Sequence, residues 1–168
     1  MKRLLLPLLV IVLFYSDSVI HLVFPESLFG DEQVAVSRLF LIGLLFMAAF
    51  LDRNTALKYS FLFGFFFDIF YTGILGAYMF FLPLIVYISS KLVKVLENHL
   101  FVFCFIVLFS VFLLELIMFQ LNVLVERTEM TAAQFMTTRL GPTLLLNFVI
   151  YALLAVPLKN AFEKLPRI

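Results

Sequence analysis

The chain has 168 residues, 64% of them hydrophobic and 14% charged, with a net charge of +1 and a mean hydropathy of +1.14. A soluble domain is about half apolar and about a quarter charged, so this composition excludes an ordinary water-soluble fold and describes an integral membrane protein; the small net charge gives no footprint for nucleic acid. Phenylalanine occurs 23 times and tryptophan not at all, so an aromatic belt at the membrane interface has only tyrosine to draw on.

The first predicted element follows Lys2 and Arg3. The apolar run from Leu4 to Leu13 has the shape of a secretory signal, but no small-x-small cleavage site follows it, and the run resumes from Val19 to Phe24. A retained first span over about 4–24 is expected. A spanning helix needs about 20 mostly apolar residues, and five further segments meet that need: about 34–51, ending at Asp52-Arg53-Asn54; about 56–72; about 75–90, stopped by Ser89-Ser90-Lys91 and kinked at Pro83; about 100–125; and about 140–158, opened by Gly141-Pro142. Backbone polar groups cannot be left open in lipid, and period-2 alternation is absent, so the expected fold is all-α: a single domain, 1–168, built as a six-helix transmembrane bundle. Cys104 is the one cysteine, so no internal disulfide is available.

Orientation follows from lysine and arginine in the short loops. With the N-terminus cytoplasmic, the inner side holds Lys2, Arg3, Arg53, Lys58, Lys91, Lys94, Lys159, Lys164 and Arg167, and the outer side only Arg38, Arg127 and Arg139. Both termini are then cytoplasmic, and the outer loops, about 25–33 and about 126–139, are too short for a catalytic domain.

Polar residues inside the spans are costly and therefore informative. Asp17 and Glu115 lie roughly 20 Å, and Asp68 roughly 15 Å, from the cytoplasmic ends of their helices at 1.5 Å per residue. Arg139, Thr143 and Asn147 share one face of the sixth helix at i, i+4, i+8 spacing, and Glu115 shares a face with Asn122. These groups are expected to form a polar cluster open to the outer side. Asp68, set among Phe65, Phe66, Phe67 and Phe70, needs a partner; Arg139, Asn147 and Thr72 are the candidates, and Asp68→Leu is expected to cost partner binding more than stability. The plain alternative is that the same groups only join helices by hydrogen bonds, and Asp17 has His21 at i+4 to pair with. Thr55, Ser60 and Ser110 are expected to satisfy their own helices. No nucleophile–base pair, Gly-x-Ser-x-Gly, His-Glu-x-x-His or paired-cysteine site is present, so no catalytic residues, metal site or cofactor are assigned. Two acids on different helices are the residue types that a hard cation would take.

The pattern Gly64-x-x-x-Asp68-x-x-Tyr71-Thr72-x-x-Leu75-Gly76-x-Tyr78 resembles the signature of the bacterial rod shape-determining MreD family, in the Tyr71-Thr72 form of Gram-positive members. The resemblance extends to the Met-Lys-Arg start, Asp31-Glu32-Gln33-Val34, Arg38, Ser89-Ser90-Lys91, Glu115 and Arg139-x-x-Pro142-Thr143-x-x-x-Asn147. It implies a fold similar to the substrate-binding subunits of energy-coupling-factor transporters, no enzymatic activity and no cofactor. It also implies a place in the bacterial cytoplasmic membrane within the elongation machinery (elongasome) for peptidoglycan synthesis and cell shape, with the bitopic protein MreC as direct partner. MreB, RodA and a class B penicillin-binding protein would share that complex, with membrane lipid around it. The expected role is a scaffold or adaptor. A solute-binding subunit of a transporter is the other reading, against which stands the lack of alanine, and hence of an Ala-x-x-x-Ala face, in residues 4–24.

Overall fold

The computed structural model describes residues 2–23, 33–96 and 99–165, and all its regular elements are helical. In chain order they are α1 (Lys2–Val23), α2 (Leu39–Phe50), α3 (Arg53–Phe67), α4 (Ala77–Val95), α5 (Leu100–Leu124), the single turn α6 (Ala132–Gln134) and α7 (Gly141–Glu163). Two π-helical stretches extend them: Asp68–Thr72 continues α3, and Phe135–Leu140 joins α6 to α7 into one rod.

The bundle is organised around α2. Every residue from Leu39 to Met47 is buried, and α1, α3, α4, α5 and α7 all pack against this helix. A helix that is apolar all round belongs inside other helices. Its 12 residues reach about 18 Å at 1.5 Å per residue, against an apolar core of about 30 Å in a bilayer. Three rods, Ala77–Val95, Leu100–Leu124 and Ala132–Glu163, are long and apolar enough to cross a membrane. Aromatic rings fill the centre: Phe14 of α1 meets Phe40 of α2 edge-on at 5.6 Å and Phe67 of α3 at 4.9 Å, and Phe67 stacks on Tyr78 of α4 at 5.2 Å.

The helix limits correct the sequence reading in four places, each for a local reason. The second segment is helical only over 39–50, because residues 33–38 run extended and give their backbone groups to α7. The third starts at Arg53 and not near 56, because Asp52 caps it: the Thr55 amide and hydroxyl donate to Asp52 Oδ2 at 2.7 and 2.8 Å. Partial burial works against the charge of Asp52, but those hydrogen bonds outweigh it and hold the carboxyl below its ordinary value. The fourth runs on to Val95; Ser90 donates back to the Tyr87 carbonyl and Ser89 pairs with Ser110 of α5 at 2.7 Å, so buried serines continue the helix instead of stopping it. The sixth is already turning at Ala132, nine residues before Gly141, behind a capping box made by Thr131 and Gln134.

Pro142 explains the widened stretch before α7. It has no N–H to give to the carbonyl of Thr138, and a π-helical turn absorbs the misfit. The released Thr138 carbonyl accepts the amide of Val34 at 2.8 Å.

Candidate functional site

Asp68 lies at the point where α3 widens, and its side chain is fully buried. Oδ1 accepts the Tyr78 amide at 2.7 Å; Oδ2 accepts the amides of Gly76 at 2.8 Å and Met79 at 3.1 Å. The Thr72 hydroxyl lies 3.4 Å from Oδ1. Amides at the amino end of a helix have no carbonyl partner within it, and the helix dipole places positive charge there. Asp68 therefore caps α4 from the end of α3. Of the partners expected from sequence only Thr72 is present; Arg139 and Asn147 bind elsewhere, because the amides eight to eleven residues on are nearer and already aligned.

Glycines make that approach possible. Gly73 and Gly76 have φ of 61° and 100°, a left-handed backbone that side chains disfavour. At Gly64, on α3 one turn below Asp68, an added Cβ would stand 2.6 Å from the Tyr78 carbonyl oxygen and 2.9 Å from Met79 Cα. The α4 backbone thus rests directly on Gly64.

The same device recurs at α2. Asp17 of α1 accepts the Leu39 amide at 2.7 Å and the Ser37 hydroxyl at 2.8 Å on Oδ1, and the Phe40 amide at 3.0 Å on Oδ2. His21, the partner considered from sequence, lies outside the described side chains. From the other side α7 holds the extended segment at alternate residues. Thr143 accepts the Val36 amide at 3.1 Å; Asn147 accepts the Arg38 amide at 2.8 Å and donates to the Val36 carbonyl at 2.8 Å. Irregular backbone inside a helical bundle needs its polar groups satisfied, and α7 does so here.

Glu115 of α5 is the third buried acid and binds two arginines. Arg38 donates from Nε to Oε1 at 2.7 Å and its Nη2 contacts the same oxygen, while Arg139 donates from Nε to Oε2 at 3.1 Å. The Arg38 guanidinium also lies 5.6 Å from the centre of the Tyr78 ring. Arg38 is the residue whose role sequence reasoning missed: counted only among the charges of the outer side, it is buried and joins the starts of α2 and α4 to α5. The available signal was Glu115 itself, an acid in a long apolar helix with an arginine directly preceding another apolar run.

These anchors surround a cavity of about 470 Å³ at the end of the bundle where α2, α4 and α7 begin. Of the residues expected to cluster, Asp17 and Arg139 reach its wall, as do Tyr71 and Thr72 of the motif. Asp68, Glu115, Thr143 and Asn147 are buried away from it, and Leu75 points outward. Of the expected cluster, Glu115 and Arg139 are paired directly, Asp17 and Asn147 join them through residues 37–39, and Asp68 stands apart as the cap of α4; Arg38, Tyr78 and Arg127 complete the wall of the space between.

A family model described as rod shape-determining protein MreD matches residues 1–165. The rod shape-determining protein MreD of Bacillus subtilis (strain 168) is 35% identical over 167 residues, covering 99% of this chain and 97% of the relative. No solved structure gives a significant match.

Proposed function

Because the chain belongs to the MreD family of rod shape-determining proteins, we propose that it acts as a non-enzymatic membrane adaptor of the elongation machinery, binding MreC and helping to hold MreB, RodA and a class B penicillin-binding protein at one site of wall synthesis. One observation supports a docking role above others. The α3–α4 hairpin turns its polar atoms inward, and its exterior presents Phe61, Phe65, Phe66, Phe70 and Phe80, all exposed. Between them runs an apolar groove of about 420 Å³ lined by Phe61, Gly76, Met79, Phe80, Pro83 and Leu84. In lipid, helices associate by close packing more than by hydrophobicity, and a groove floored by Gly76 and Pro83 suits the single helix of a bitopic partner. Photo-crosslinkers at Phe66 and Phe80 should capture MreC in living cells, and one at Leu153 of α7, also exposed, should not; capture from Leu153 alone would move the contact surface elsewhere. Depletion should round or widen rod-shaped cells. The cavity gives the transporter reading its one support, and cells that keep their rod shape but lose uptake of a solute would favour it.

The proposal includes six spans in a fold similar to the substrate-binding subunits of energy-coupling-factor transporters, with α2 crossing only together with its extended lead 33–38 and both termini cytoplasmic. In a Cys104→Ser background, an impermeant maleimide should label single cysteines at 30 and 130 in intact cells and spare those at 54, 96 and 165. Labelling at 165 would overturn this orientation.

A further inference from the structure

The charges around the cavity are unevenly matched. Asp68 is taken up by the first amides of α4, Asp17 by those of α2 and the Ser37 hydroxyl, and Glu115 by Arg38 and Arg139. Two guanidinium groups on the wall have donors beyond these pairings. Among the described residues Arg139 meets Glu115 through Nε, and its side chain is 37% exposed. Arg127 donates to the Thr72 carbonyl and, among the described residues, makes no ion pair. An added Cβ on Gly73 would lie 3.7 Å from Arg127 Nη2, so this arginine lies across the hairpin turn, on the Thr72 side of the cavity. The rest of the wall is mixed: Asp17, Ser37, Arg38 and Asn122 are polar, and Phe67, Ile74, Met118 and Leu121 give it an apolar side.

We propose that this cavity binds a phosphate-bearing anion, Arg127 and Arg139 taking the phosphate and the apolar wall taking a hydrocarbon portion where one is attached. The planar fork of arginine matches phosphate oxygens bidentately, and such charge-assisted bonds strengthen where water is scarce. Arg38 stays on Glu115 and keeps the wall in place while Arg139 turns its Nη groups to the ligand. A basic cavity with one greasy wall is the complement of an amphiphile with an anionic head.

The test uses the full chain in phosphatidylcholine nanodiscs, titrated with phosphatidylglycerol and read by native mass spectrometry. The wild type should retain phosphatidylglycerol. Arg127→Gln/Arg139→Gln should lower its occupancy about tenfold or more, the effect of losing one or two charge-assisted hydrogen bonds. Arg127→Gln alone, an exposed change that leaves Glu115 paired, should lower it severalfold with an unchanged melting temperature. Lys58→Gln/Lys94→Gln should leave it unaltered. Competition distinguishes the sources: displacement by millimolar inorganic phosphate assigns the site to the anion alone, and retention against phosphate assigns it to the lipid. Equal retention in the arginine variants, or equal loss in the lysine control, would overturn the proposal.

Discussion

Glu115→Leu is expected to lower the melting temperature of the detergent-solubilised chain by on the order of 10 °C. The change deletes the anion that two arginines share and leaves the buried Arg38 guanidinium without a counter-charge. Breaking one partner out of a buried ion pair costs about 3–5 kcal/mol, on the order of 10 °C in melting temperature for a domain of this size. The loss comes mainly from the stranded cation, so its removal should restore part of it: Glu115→Leu combined with Arg38→Met should melt above Glu115→Leu alone. A double variant that melts lower still would mean that Arg38 contributes through Tyr78 and the backbone, and that Glu115 is not its main support.

The second large effect is at Asp68. An asparagine keeps one carbonyl oxygen, and its NH₂ must face either the Tyr78 amide or the pair from Gly76 and Met79. Two donors then oppose each other, and each buried donor left unmade costs about 1–3 kcal/mol. Leucine leaves all three amides open and adds bulk against α4. The expected order of melting temperature is therefore wild type, Asp68→Asn, Asp68→Leu, with the last lower by about 3 kcal/mol or more in stability. Sequence alone suggested that partner binding would suffer before stability. The cap leads to the opposite expectation, since the hairpin that carries the outward aromatic face depends on this carboxylate for its shape. Co-purification of the proposed partner MreC with each variant decides the matter: an Asp68→Leu chain that melts with the wild type and yet loses MreC would restore the expectation from sequence.

Much of this was legible in the residues. Long apolar runs announced the helices, and acids placed at similar depth announced that one end of the bundle is polar. Thr143 and Asn147, one turn apart, do act from a single face of α7. The partners were not legible, and the reason is specific. Asp17 and Asp68 bind mainly backbone amides, which every residue carries and no side-chain pattern reveals. Val34-Ala35-Val36 is as apolar as the helix after it, so hydropathy reads through the extended lead without a break. Arg38 and Glu115 are 77 residues apart, a pairing that only the fold supplies.

The hydrogen bonds that hold 33–38 impose an order on synthesis. The Arg38 amide waits for Asn147, 109 residues later, and at about 5–20 residues per second a ribosome takes roughly 5–20 s to cover that distance. Throughout that time the amides of Val34, Val36 and Arg38 lack the partners that residues 138–147 later supply. The second helix is thus completed only once α7 has been made.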